Sequence, residues 1–219
     1  MISYCTTLKD RIEHLVQTLP KTVAAMTPTD ELIIMDYGSA SPDVVRARVK
    51  EVAAGDRRVF LYRYETRYWR VAHAKNITHR MGINHILCNL DADNWITEGF
   101  SEYLRENVND DLIVAARPRI DRRSGSDGRI ALTDSLFNRI GGYDERMEVW
   151  GCDATDLKCR ACRTGAATKF VQIEEFLDHD DGLRNVTEYN VQFLMDNNAK
   201  YAINPNHGSY GLTNIRRVL

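Results

Sequence analysis

The chain has little proline, an odd number of cysteines, no long apolar run and no excess of either charge. Five prolines in 219 residues exclude a collagen-like or proline-rich extended protein. The five cysteines, Cys5, Cys88, Cys152, Cys159 and Cys162, cannot all pair, and a chain of this length can bury a core without cross-links, so they read as reduced thiols. Cys159 and Cys162 form a CxxC pair beside Cys152. No second pair follows at zinc-finger spacing, and the surrounding segment reads as helix, which argues against a structural zinc site. No apolar stretch approaches the roughly 20 residues that span a membrane. The start of the chain also lacks the basic-then-apolar order of a signal peptide. These absences give the expectation of a cytoplasmic protein without a transmembrane segment, with peripheral contact at a membrane left open. Lysine and arginine total 29 against 31 aspartates and glutamates, a formal net charge of −2. That balance offers no global attraction to nucleic acid, and none is expected as a partner. No repeat or linker is present, and nothing in the sequence fixes an oligomeric state.

What is present is an ordinary globular composition, 43% hydrophobic and 27% charged, and an alternating pattern. Residues 2–6 read as a strand. Leu8, Ile12, Leu15, Val16 and Leu19 recur on one helical face, which Pro20 is expected to end. Strands are expected at 31–35, 58–62 and 85–90. Helices are expected at 41–54, opened by Ser41-Pro42, and at 69–80. Four strands separated by three helices imply parallel strands with right-handed crossovers, an α/β fold whose ligands sit at the carboxyl ends of the strands. Beyond Asp91 the pattern changes: helix at 96–108, strand at 112–116, a polar arginine- and glycine-bearing loop at 117–129, strand at 130–133. A helix capped by Thr133, helix at 153–164, strand at 170–176 and a last helix at 185–195 follow, then a polar tail. One domain over 1–219 is expected, with a nucleotide-binding half (1–94), an acceptor-side half (95–182) and a C-terminal helix and tail (183–219).

Three places carry chemistry. Asp91 and Asp93 follow a strand, two positions apart. If the chain stays extended there, both carboxylates face one side, repel, and are relieved by a hard divalent cation such as Mn²⁺ or Mg²⁺; a capping and turn role is the alternative. His179, just after a predicted strand, is a possible third ligand. Gly141-Gly142-Tyr143-Asp144-Glu145 is followed by Trp150-Gly151-Cys152-Asp153. Paired glycines permit a turn of positive φ. Asp153 opens a helix, where its carboxylate either caps the free amides or takes a proton from a hydroxyl. Trp150 is either a platform for a sugar ring or a core residue.

In their order and spacing these segments resemble family-2-like glycosyltransferases with the GT-A fold, from Ile2 to about His179. Thr6-Thr7 stands where that family begins its nucleotide pocket. Asp36-Tyr37-Gly38-Ser39 resembles its Asp-Asp-Gly-Ser turn, and Ala72-His73-Ala74-Lys75-Asn76 its Ala-Arg-Asn helix start. Leu90-Asp91-Ala92-Asp93-Asn94 resembles its metal and donor-phosphate motif. Trp150-Gly151-Cys152-Asp153-Ala154-Thr155-Asp156-Leu157 is similar to the acceptor-side segment of galactosyl- and N-acetylgalactosaminyltransferases.

The resemblance implies a single GT-A domain with a mixed, mainly parallel sheet flanked by helices. It implies transfer from a UDP-sugar to a hydroxyl of a saccharide or glycoconjugate, as in polysaccharide biosynthesis. Asp93, Asp91 and His179 would hold Mn²⁺ or Mg²⁺. Thr6, Asp36, Asp91, Arg122 and Arg123 would contact the donor, with Arg129 a further candidate for the diphosphate. Trp150, Gly142 and Tyr143 would line the acceptor site, and Asp153 would be the base of an inverting single displacement. Aligned through Asp156-Leu157, Asp153 takes the place of the family's glutamate and Ala154 that of its base; moved by one residue, Asp153 takes the base position. A retaining transferase on the same fold, a nucleotide-sugar hydrolase or pyrophosphorylase-like enzyme, and a non-catalytic carbohydrate- or nucleotide-binding protein are the alternatives.

Overall fold

The computed structural model describes residues 1–117, 128–147, 151–175, 177, 192, 206 and 215–219. Arg122, Arg123, Trp150, His179 and, apart from residue 192, the expected helix at 185–195 lie outside the described residues.

The chain runs β1 (Ile2–Leu8), α1 (Ile12–Ala25), β2 (Glu31–Tyr37), α2 (Pro42–Ala53), β3 (Val59–Tyr64), α3 (Val71–Met81) and β4 (Ile86–Asn89). It continues through α4 (Phe100–Asn107), β5 (Leu112–Ala116), β6 (Ile130–Thr133), α5 (Asp134–Arg139), α6 (Asp153–Arg163), β7 (Ala167–Val171) and β8 (Arg216–Arg217). One eight-stranded sheet has the order β7-β5-β6-β4-β1-β2-β3-β8. The first four strands are mutually parallel, β6 is antiparallel to both of its neighbours, and β7 is parallel to β5. The expected α/β class with a mixed, mainly parallel sheet is thus observed.

Alternation along the strands sends side chains to two layers. Leu32 and Ile34 of β2 join Leu15, Leu19, Val45 and Val49 of α1 and α2, whereas Met35 and Tyr37 meet Ala74 and Ile77 of α3. Both β1 and β2 are buried along their whole length, as central strands covered on two faces must be. Their polar side chains find partners inside: Ser3 Oγ donates to Glu31 Oε1 at 2.5 Å. A third cluster packs Leu132, Phe137, Ile140 and Tyr143 against Leu157 and Ala161 of α6.

Four expectations are corrected. Pro20 lies inside α1 rather than at its end. It is exposed, and Leu19 and Thr22 on either side are buried, so packing outweighs a penalty of about 3 kcal/mol. Leu8 belongs to β1, where it pairs with Asp36, not to the helical face. The strand expected at 170–176 starts earlier, because Ala167–Val171 pairs with β5 over its full length. The polar tail contributes β8, antiparallel to β3 through Tyr62–Arg217 and Arg63–Arg216. Thr133 caps α5 as expected, accepting from Leu136 N at 3.1 Å. No helix among the described residues is long and apolar enough to cross a membrane.

His79 on α3 is a buried histidine stacked on Phe137, with ring centroids 4.9 Å apart. Its Nδ1 lies 2.7 Å from Lys75 O, while Nε2 has no hydrogen-bond partner among the described residues. Burial holds its pKa down at about 3, with the backbone contact to Lys75 opposing the shift. The unfolded chain therefore binds a proton that the folded one refuses between about pH 6.5 and 3, and stability falls as pH drops through that window. The slope is at most about 1.4 kcal/mol per pH unit for this one group. Denaturant unfolding of His79→Phe between pH 7 and 4 should show a shallower loss, by up to about one proton, than the parent; equal slopes would reject the assignment.

Candidate active site

The strand end after β4 is pinned at nearly every carbonyl. Thr6 Oγ1 donates to Leu90 O at 2.7 Å, Asn94 N to Asp91 O at 2.9 Å, Thr18 Oγ1 to Ala92 O at 2.8 Å and Leu177 N to Asp93 O at 2.8 Å. The backbone closes into a turn here instead of staying extended, yet Asp93 remains near enough to act electrostatically on Asp91. Asn89 Nδ2 donates to Asp91 Oδ1 at 3.0 Å and to Gly128 O at 2.9 Å. A Cβ on Gly128 would stand 2.5 Å from Asp91 Oδ2, so a side chain there would push the Asp91 carboxylate aside. Arg129 Nη2 donates to Asn94 Oδ1, Trp95 O and Glu175 O at 2.9–3.0 Å, tying the turn to the segment beyond β7.

Asp91 and Asp153, far apart in sequence, meet at one ammonium. Lys75 Nζ on α3 lies 2.7 Å from Asp153 Oδ2 and 4.0 Å from Asp91 Oδ1. It sits 5.3 Å from the Tyr143 ring centre. Gly151 and Cys152, both at positive φ, turn the chain so that Asp153 opens α6 with its carboxylate inward. The side chains of Lys75 and Asp153 are 6% and 9% exposed. Burial disfavours the Lys75 charge, but Asp153 first and Asp91 second overcome it and raise the lysine pKa. Burial raises the Asp91 carboxyl, Lys75 opposes that, and Asp93 adds to it.

The Gly141–Glu145 turn flanks this cluster. Asn76 holds Tyr143 by both backbone groups, at 2.7 and 2.8 Å. Asn206 donates to Gly141 O and Tyr143 O, each at 2.7 Å. Gly141 and Gly142 both have positive φ. The Tyr143 side chain is fully buried against His79 and Phe137, so it supports the turn from beneath.

Two other expected residues are engaged with the protein itself. Thr6 is buried on Leu90 O. Asp36 accepts from Ser39 N at 2.9 Å and is ion-paired with Arg63, which reaches on to Glu65. Asp156, an ordinary helix position by sequence, is buried and paired with the fully buried Arg160 at 2.6 Å. Lys75, Asn76 and Asn206 were not singled out by sequence; Arg129, a sequence candidate for the diphosphate, is engaged by Asn94, Trp95 and Glu175. Lys75 and Asn76 did stand inside a motif-like segment, and α3 is buried from Val71 to His79; a lysine in such a stretch calls for a buried counter-charge. Asn206 carried no signal.

Among the described residues no group of three or more His, Cys, Asp and Glu side chains converges on one point. Asp91 and Asp93 supply hard oxygen donors that fit Mn²⁺ or Mg²⁺.

A family model described as glycosyl transferase family 2 matches residues 3–165. No curated protein matches the sequence. Among solved structures, the mannosyltransferase PcManGT from Pyrobaculum calidifontis, in complex with GDP-Man and Mn²⁺, superposes with TM-score 0.63 at 17% identity, over 78% of this chain and 54% of that one. TarS 1-349 from S. aureus with UDP-GlcNAc gives 0.65 at 10% identity, over 83% and 59%. GalNAc-T7 with UDP, GalNAc and Mn²⁺ gives 0.64 at 12%, over 78% and 42%. These likenesses establish the GT-A fold, and the chain spans between two-fifths and three-fifths of each of these proteins.

Removing the ammonium strands two carboxylates. Lys75→Met should lower stability by ~3–5 kcal/mol, about 6–20 °C in melting temperature at this size. Lys75→Met combined with Asp153→Leu should recover a large part of that loss. Calorimetric melting of the single and double variants checks the coupling, and additive losses would show that the pair is not one unit.

Proposed function

The chain belongs to glycosyl transferase family 2, and we propose that it transfers a sugar from a UDP-sugar to a hydroxyl of a saccharide or glycoconjugate, inverting the anomeric centre by single displacement. The observation that carries this reading is the meeting of Asp91, from the donor-phosphate motif, and Asp153, from the acceptor-side motif, at Lys75. Donor and acceptor groups thereby stand within one cluster at the carboxyl ends of the parallel strands, where ligands of open α/β sheets bind.

In this reading Asp93 and Asp91 hold Mn²⁺ or Mg²⁺, and a bound ion supplies neutralisation of the diphosphate leaving group. His179 completes the ligand set. It follows Leu177 by two residues, a chain reach of about 7 Å, and the Leu177 amide is fastened to Asp93 O. Arg122 and Arg123 contact the diphosphate. Their segment re-enters the described fold at Gly128, which is packed on Asp91. Thr6 and Asp36 shape the nucleoside end by fixing the backbone around it. Gly142 and Tyr143 shape the acceptor wall, and Trp150 offers it an apolar face. Lys75 fixes the orientation of the Asp153 carboxylate, which takes the acceptor proton as the new bond forms.

A panel of UDP- and GDP-sugars with saccharide acceptors, read by mass spectrometry, tests the reaction class. Activity should vanish on chelation and return with Mn²⁺. Asp153→Asn should keep UDP binding within a few-fold and lower turnover by at least about 100-fold. Near-parental turnover in that variant would sink the base assignment. A product that retains the donor's anomeric configuration would reject single displacement.

A further inference from the structure

Loops leave the carboxyl ends of β1, β2 and β3 side by side, and Lys9 joins all three. Its Nζ donates to Gly38 O at 2.5 Å and Thr66 O at 3.2 Å, and lies 3.5 Å from Tyr37 O. An ammonium has three donors and no acceptor, so three carbonyls match it in number and kind. Those carbonyls would repel one another if brought together without a cation. Their closeness is not forced by the strands alone, because Gly38 has a φ of 75° and a Cβ there would stand 2.0 Å from Thr66 O. The next residue continues the stitch: Asp10 N donates to Ser39 Oγ at 2.9 Å, and Ala40 N donates to Asp10 Oδ1 at 2.8 Å. Ser39 N in turn donates to Asp36 Oδ1. Two consecutive residues after β1 therefore hold the whole 37–40 turn and, through Thr66, the loop that leads into α3 and Lys75.

We propose that Lys9 is a positioning residue whose ammonium acts as a built-in cation, locking the three strand-end loops into the shape that receives the nucleotide. The inference takes its ligand from the donor reading above, but its geometry is independent of that reading. A lysine serving in this way leaves, when truncated, a cluster of carbonyls that a small cation can fill. A lysine that merely covers apolar surface leaves no such site.

The test uses Lys9→Met and Lys9→Ala in the full chain. UDP affinity of Lys9→Met, measured by calorimetry in the presence of Mn²⁺, should fall by about 10-fold, since charge-assisted contacts are lost. The donor KM should rise in step, while kcat at saturating donor should change by less than about 3-fold. In Lys9→Ala, ammonium or methylammonium chloride should restore a substantial part of the affinity, and sodium chloride at equal ionic strength should not. A folded Lys9→Met that binds UDP within about 2-fold of the parent overturns the proposal. If Lys9→Met does not fold, ammonium-dependent recovery of Lys9→Ala supports the proposal, and equal behaviour in ammonium and sodium overturns it. If the parent itself does not bind UDP, the donor reading fails, and hydrogen exchange decides the clamp. Faster exchange at residues 37–40 and 65–68 in Lys9→Met upholds it, and unchanged exchange overturns it.

Discussion

A positive charge buried between two carboxylates organises the centre of this molecule. Lys75 could not stay ionised under the Gly141–Glu145 turn without Asp153, and Asp153 could not open α6 facing inward without a cation to meet it. Each partner would be a serious fault alone, because a lone buried ion is among the most expensive features a fold can carry. Together they fasten α3 to α6, and so join the half of the sheet that ends in Asp36 and Asp91 to the half that carries the paired glycines. Asn76, one residue along, repeats the connection with neutral hydrogen bonds to Tyr143. Charge supplies direction at this junction, and the amide supplies register.

The same logic governs the rim. Loops at strand ends have backbone groups that the sheet no longer satisfies, and here side chains take over that duty. Thr6, Thr18, Asn89, Arg129 and Lys9 each reach a carbonyl on a neighbouring loop. Such a rim is pre-organised: little remains to be ordered when a ligand arrives, which lowers the entropic cost of binding.

Much of the architecture was legible because periodicity is local. The alternation of apolar strands with amphipathic helices, Pro42 at the helix start and the Thr133 cap all depend on near neighbours and were found as expected, whereas Ser41 stands at the cap position without a side-chain capping bond. The Asp91-Ala92-Asp93 triplet and the helix-opening Asp153 were visible for the same reason. What a sequence hides is the identity of distant partners. Pro20 looked like a stop because the packing of Leu19 and Thr22 lies outside its own helix. Arg216 and Arg217 read only as part of a polar tail because their partner strand, β3, is remote in the chain. Tyr143 was expected at the acceptor wall, and a tyrosine after two glycines does not announce the His79 and Phe137 rings that enclose it. Asp36 gave its position but not its attachment to Arg63.

The reversed direction of β6 has a mechanical consequence. Because β6 runs against β4, its entry residues Gly128 and Arg129 arrive beside Asp91 and Asn94. On the other side of residues 118–127, Arg117 N is fastened to Val171 O at 2.8 Å. Gly128 and Arg129 grip the turn after β4 directly, through Asn89, Asp91 and Asn94. Sliding β6 along β4 would drag the carboxylates with it, so the strand and the acidic turn form one mechanical piece.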